Sequence, residues 1–169
     1  MLTPIERRSH QHKNLQTQIR VGLISMESTD SCQVFVYGTL KPNEANYAKY
    51  CEGKILTQQP AIAYGKLFAL PMGYPAMIQG DREVQGYLFS FEDDHIFESL
   101  DELEDYQSDR HFSENLYTRQ RIEIFDLERI SLGWAWTYLM TLEQVSKFGG
   151  IYLENGLWVA VSKPFPLKK

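Results

Sequence analysis

Val34-Phe35-Val36-Tyr37-Gly38-Thr39-Leu40-Lys41-Pro42 is the stretch that decides the fold of this 169-residue chain. Its first four residues form a short β-rich run, read as a buried strand, which Gly38 stops and Pro42 and Asn43 punctuate. A buried strand that runs straight into glycine can turn abruptly and let another group approach its backbone closely. Successive N–H groups at such a turn make an anion-sized cradle, and Thr39 adds a hydroxyl. The same pattern also fits an ordinary strand-ending turn beside a core tyrosine, Tyr37.

Before this run, residues 1–30 are rich in Gln, Ser, Thr, Arg and His and show no sustained period, which predicts a loosely ordered extension. Met26, eight residues before the strand, is an alternative natural start. After it, Tyr47 to Tyr50 fits a helical turn. Strand-like pieces follow at Ala61–Leu70, Ala76–Ile78 and Val84–Phe89, broken by Pro71, Gly73, Pro75 and Gly80-Asp81. One helix is predicted over about Phe91 to Asp105. Tyr117–Phe125 and Ile130–Leu139 alternate as strands, the second with Trp134, Trp136 and Tyr138 on a common side that reads as core. Asn155-Gly156, between Ile151–Glu154 and Leu157–Val161, is a hairpin signal. Lys163–Lys169 reads as a tail. Many strands, few helices and no β–α alternation predict an α+β fold: a small mixed or barrel-like β-sheet with one or two packed helices, in a single domain over residues 31–162.

The composition excludes several classes. With 43% apolar and 13% aromatic residues the chain is not generally disordered. The formal charge is −5, and residues 81–110 hold 11 of the 22 acids with only Arg82 and Arg110 as bases. A nucleic acid therefore has no broad basic footprint to bind. Leu132–Met140, the longest apolar-looking run, is far short of a membrane span, and Val21–Met26 is too short and too late for a secretory signal. Cys32 and Cys51 lack metal-ligand spacing; they are two reduced thiols or one bridge. His10 and His12 belong to the polar extension, and His95 and His111 are isolated, so no metal is expected. A reducing compartment, the cytosol, is the expected location.

Most of the clustered acids sort by helical geometry. Ser90 is a candidate N-cap, with Glu92, Asp93 and Asp94 in the first turn where the helix dipole favours them. On a wheel of about 100° per residue, Ile96, Phe97, Leu100 and Leu103 define a buried arc, and Glu98, Glu102 and Asp105 face water. Glu104 falls between Phe97 and Leu100, inside the apolar arc. A carboxylate there must find a partner or accept a raised pKa. It is either a helix-end residue curling to solvent or pairing with an arginine such as Arg119, or a general acid/base tuned toward neutral pH. Position alone does not choose.

These segments together resemble the γ-glutamyl cyclotransferase-like proteins. Val34–Pro42 is similar to the family's N-terminal signature, Gly73-Tyr74-Pro75-Ala76 to its central Gly-Tyr-Pro segment, and Val84-Gln85-Gly86-Tyr87-Leu88 to the strand that follows. Leu100-Asp101-Glu102-Leu103-Glu104 followed by Tyr106 resembles the stretch carrying the family's catalytic glutamate, which falls on Glu104. Tyr117-Thr118-Arg119 matches its Tyr-x-Arg, and Gly156-Leu157-Trp158 is more loosely similar to its C-terminal Gly-x-Trp. Asn43 and Asp105 stand where the family often has glycine.

The resemblance implies an intramolecular aminolysis. The α-amine of a γ-glutamyl group attacks its own γ-carbonyl and releases 5-oxoproline and an amine or amino acid, with no cofactor. Glu104 is then the base that takes a proton from the substrate amine and the acid that returns one to the leaving nitrogen. The backbone of Tyr37, Gly38, Thr39 and Leu40 holds the α-carboxylate and the developing oxyanion. Tyr117 either hydrogen-bonds the substrate or is structural, and Arg119 orients Glu104 or pairs on the sheet. Lys41 either attracts an acidic substrate or is an ordinary solvated lysine. The competing implication is a non-catalytic member that binds a small acidic metabolite or a protein.

Overall fold

The computed structural model describes residues 32–160; the expected extension at 1–30, the alternative start at Met26 and the tail at 163–169 lie outside the described residues. Within them, β1 (Cys32–Val36), α1 (Tyr47–Tyr50), β2 (Ile55–Ala69), β3 (Pro75–Gln79), β4 (Arg82–Phe91), α2 (Ile96–Leu103), a 3₁₀ turn at Phe112–Glu114, β5 (Thr118–Phe125), β6 (Ser131–Leu139), α3 (Leu142–Lys147) and β7 (Ile151–Tyr152) follow one another. The expected α+β class with a mixed sheet is what forms, with three short helices where one or two were expected.

The sheet runs β3-β2-β4-β1-β6-β5, with β7 added to β2. β1 is central. It pairs antiparallel with β4 from Cys32↔Phe91 to Val36↔Tyr87, and parallel with β6 at Val34↔Trp136. Because both edges and both faces of β1 are covered, its side chains divide between two cores. Val34 and Val36 pack with Phe89, Leu100 and Met140 on the helix-bearing side. Phe35 and Tyr37 pack with Leu67, Met77, Ile124 and Trp158 on the other. The sheet also curls until β2 meets β5 at Ile62↔Phe125 and Ala63↔Ile124. Two residue pairs close this ring, so it is a partial barrel.

Several boundaries differ from the sequence expectation. β2 starts at Ile55, six residues early, because the exposed polar stretch Thr57–Gln59 pairs along β4 without burying side chains. Ser90 and Phe91 belong to β4, not to a helix start: Phe91 pairs with Cys32 on one side and Ile55 on the other. Ser90 accepts a 2.8 Å hydrogen bond from the Thr57 hydroxyl, and α2 begins only at Ile96, with His95 as an N-cap that makes no side-chain bond. Asn155-Gly156 turns the chain but makes no hairpin. Gly156 has φ +63°, and a Cβ there would overlap the Glu83 carbonyl oxygen. Its own carbonyl accepts the Gln85 N–H at 2.7 Å, so the chain docks on β4 instead of pairing back on β7. In the aromatic stripe, Tyr138 is 4% exposed but Trp134 is 56% exposed, so the stripe is core only at its Tyr138 end.

Candidate active site

A cavity of about 260 Å³ opens at the C-terminal end of β1. Its walls are the backbone from Phe35 to Leu40, the Gly73–Pro75 turn, the end of α2 with Leu103 and Glu104, Leu116 and Tyr117 before β5, and Thr137 and Tyr138 of β6. Five segments far apart in sequence therefore share one space, and among the described residues Glu104 is the one charged side chain in its wall.

At the end of β1 the chain turns sharply after Gly38. Lys41 N–H donates to the Gly38 carbonyl at 3.0 Å, which closes the turn, and Asn46 N–H donates to Thr39 O at 2.9 Å. The N–H groups of Gly38, Thr39 and Leu40 line the cavity and have no protein acceptor among the described residues. Three successive unpaired donors make a concave site of positive potential, suited to a carboxylate or an oxyanion. Asn46, which the sequence did not single out, fixes the Thr39 hydroxyl through a 2.9 Å hydrogen bond. Gly38 itself does not sit in the left-handed region. It is required by packing, since a Cβ there would lie 2.6 Å from Cγ of Pro75. The group that approaches the turn so closely is thus the proline of the Gly-Tyr-Pro segment. Asn43 takes the left-handed conformation at φ +68°, which asparagine tolerates better than most residues.

Glu104 caps the C-terminus of α2, and its position follows from the apolar arc. Ile96, Phe97 and Leu100 are buried, Glu98 and Glu102 face water, and the helix ends as Asp105 turns to φ +50°. The Glu104 N–H donates to Leu100 O at 3.0 Å and its carbonyl accepts Tyr117 N–H at 3.3 Å. Its half-buried carboxyl has no hydrogen-bond or ion-pair partner among the described residues. Burial pushes its pKa up from the ordinary 4.5 to about 7. Asp105 takes no part in this: its carboxylate points outward to Arg110 at 3.0 Å.

The remaining candidates divide. The Tyr117 hydroxyl donates to the Pro75 carbonyl at 2.6 Å, which leaves its oxygen as an acceptor toward the cavity. The Tyr37 hydroxyl donates to Tyr138 O at 2.6 Å and accepts from Met77 N–H at 3.3 Å, so only the backbone of Tyr37 remains for a ligand. Burial raises the pKa of both phenols far beyond the neutral range. Arg119 pairs with Asp101 at 3.1 Å rather than with Glu104, and stacks 4.0 Å above Phe97. Lys41 is neither a substrate lure nor solvated. It is 6% exposed, its Nζ donates to the Trp158 carbonyl, and burial lowers its pKa. Tyr138, read from sequence as core, is core on its ring and cavity wall at its edge. Cys32 and Cys51 are buried free thiols, with pKa values raised by burial to about 11 and about 12. Among the described residues no cluster of His, Cys, Asp and Glu has the arrangement of a metal site, and no helix is long and apolar enough to cross a membrane.

Comparison with known proteins meets this geometry at the same segments. A family model described as "Gamma-glutamyl cyclotransferase, AIG2-like" matches residues 34–160. The chain belongs to this family. As a γ-glutamyl cyclotransferase-like protein it is 30% identical over 105 residues to the γ-L-glutamyl-butirosin B γ-glutamyl cyclotransferase of Niallia circulans, a match covering 62% of this chain and 65% of that relative. The cyclotransferase-like chain thus spans less than two thirds of that enzyme's length. Among solved structures, an aig2-like protein from Mus musculus superposes with a TM-score of 0.57 at 18% identity, covering 76% of this chain and 88% of the other. The ytfP protein of Escherichia coli gives 0.51 at 24% identity, covering 75% and 96%. At such identities these two structures speak for the shared fold.

Proposed function

We propose that the protein is a γ-glutamyl cyclotransferase that acts on a γ-glutamyl amine or peptide and releases 5-oxoproline. The observation that carries this reading is the placement of an unpaired Glu104 carboxyl, raised to about 7, in one cavity with three unpaired backbone donors. The reaction needs both. The substrate amine is protonated at neutral pH, and a carboxylate that titrates near 7 takes that proton and later returns one to the leaving nitrogen. The amine attacks the γ-carbonyl carbon, the carbonyl oxygen carries the developing negative charge, and the C–N bond to the leaving group breaks as the ring closes. The N–H groups of Gly38, Thr39 and Leu40 bind the α-carboxylate and the developing oxyanion, which holds the substrate in the folded conformer that cyclises. The acceptor oxygen of Tyr117 takes a hydrogen bond from the substrate. Arg119 supports the site from behind. The relative from Niallia circulans is named for a γ-glutamyl compound, γ-L-glutamyl-butirosin B, which supports this reading.

In this reading residues 31–162 act as one domain, the substrate is a small molecule in the cytoplasm, and neither nucleic acid nor membrane takes part. The test is 5-oxoproline release from a panel of γ-glutamyl amino acids, γ-glutamyl-lysine isopeptide and glutathione. Wild type converts at least one, and Glu104→Gln loses on the order of 10²–10⁴ in rate. A Glu104→Gln protein that forms 5-oxoproline at the wild-type rate sinks the proposal.

A further inference from the structure

We infer that Asp101 is a positioning residue, a clamp that fixes the helix end from which Glu104 reaches the cavity; this rests on the reading of Glu104 as the base. Asp101 lies three residues before Glu104 and ties its turn to two strands. Its Oδ1 accepts the Tyr138 hydroxyl of β6 at 2.6 Å. Its Oδ2 lies 3.1 Å from an Nη1 of Arg119 on β5. Its main-chain carbonyl accepts the Tyr106 N–H at 2.9 Å, which closes the chain around the far side of Glu104. Asp101 therefore holds the residues on either side of the base while Glu104 itself bonds only through its backbone.

The main-chain bonds from Tyr117 N–H to Glu104 O and from Leu116 N–H to Asp105 O also hold this end, but among the described residues no other side chain of α2 joins it to both β5 and β6 by polar contacts. α2 has eight residues and no side-chain N-cap bond, so its orientation depends on tertiary tethers. The Arg119 partner is not a loose surface cation. Its side chain is 20% exposed and lies 4.0 Å over Phe97, with Trp136 at 5.2 Å. Nη1 is buried and out of line for a hydrogen bond, so the Asp101 charge is what compensates it. Removing that charge leaves a buried cation unbalanced, and the helix end moves to let water in.

The titratable groups that face Glu104 are phenols: Tyr37 of β1, Tyr74 of the loop after β2, Tyr117 ahead of β5 and Tyr138 of β6. Its sequence neighbour Asp105 is turned away to Arg110. No phenol among them ionises near neutral pH, so in Tyr138→Phe, which changes no charge, a moved Glu104 titration reports changed solvation of Glu104, whereas in Asp101→Asn it also carries the loss of the Asp101 charge.

Two variants test the clamp. Tyr138→Phe removes one hydroxyl and keeps the carbonyl that holds Tyr37; Asp101→Asn keeps an acceptor for Tyr138 and removes the charge. Both are measured for kcat and KM with the converted γ-glutamyl substrate, for melting temperature, and for the Glu104 titration by NMR with ¹³C-labelled glutamate. The expected result is a fall in kcat on the order of 10²-fold with KM changed less than about threefold, together with a Glu104 midpoint moved down from about 7. Variants that melt earlier yet keep the wild-type kcat and midpoint overturn the inference and leave Asp101 a plain structural tether. If wild type converts no γ-glutamyl substrate, the reading of Glu104 as a base fails, and the titration alone decides whether Asp101 sets its environment.

Discussion

Replacing Glu104 by glutamine is expected to stabilise the fold relative to wild type as pH rises to 7 and above, while cutting turnover on the order of 10²–10⁴-fold. The folded chain holds the Glu104 proton up to about pH 7, whereas the unfolded chain releases it near 4.5. Between those values the native state binds more protons, so wild-type stability falls as pH rises. At 1.36 kcal/mol for each pH unit, the penalty is absent below about pH 4.5 and reaches about 3 kcal/mol above pH 7. Glutamine never ionises and escapes it. The amide has its own desolvation cost, but that cost does not change with pH. The informative quantity is therefore the difference in unfolding free energy, variant minus wild type, followed by urea denaturation from pH 4.5 to 8. It should increase by about 3 kcal/mol across that range. A difference that stays constant would refute the claim that this carboxyl is raised in the folded chain.

Other outcomes follow from the same geometry. The acid limb of kcat/KM should rise about tenfold per pH unit to a midpoint near 7 as Glu104 becomes the free base, and a limb centred near pH 4.5 would exclude it as that base. Gly38→Ala puts a methyl 2.6 Å from Pro75 Cγ, where contact needs ~3.5 Å or more; melting should show a loss of about 1–3 kcal/mol. Because Pro75 also holds the Tyr117 hydroxyl, kcat should drop with it, and an unaltered rate would show that the proline is not a functional wall. At Asp105, φ +50° penalises any Cβ, so Asp105→Gly should be more stable than Asp105→Ala by about 1 kcal/mol in urea unfolding.

The legible parts of the molecule were those in which one residue's surroundings lie close in sequence. The α2 wheel placed Ile96, Phe97 and Leu100 inside and Glu98 and Glu102 outside, because a helix carries its own period. It brought Glu104 to the apolar side for the same reason. The Val34–Tyr37 run announced a covered strand, and Gly38 announced close approach. What approaches Gly38 is Pro75, which no local pattern indicates. Thr57–Gln59 falls outside the strand expected from Ala61 because it is stabilised by main-chain pairing to β4 rather than by burial. Lys41 was misread since its acceptor, the Trp158 carbonyl, arrives 117 residues later. Asp101 was overlooked for a related reason: it sits on the flank of the wheel, and both of its partners come from strands after the helix.

The parallel partnership of β1 with β6 has a consequence for how the site comes into being. Thr137 hydroxyl donates to Phe35 O, and Tyr37 donates to Tyr138 O, across separations of 102 and 101 residues. The cradle segment is among the first of the described residues to be synthesised, and it waits for residues 131–139 before its strand has both neighbours. Contacts of such long range are slow to form. During synthesis the β1 end has only β4 beside it, and the pocket closes once the β5–β6 ribbon docks. Binding competence is thus among the last properties the growing chain acquires.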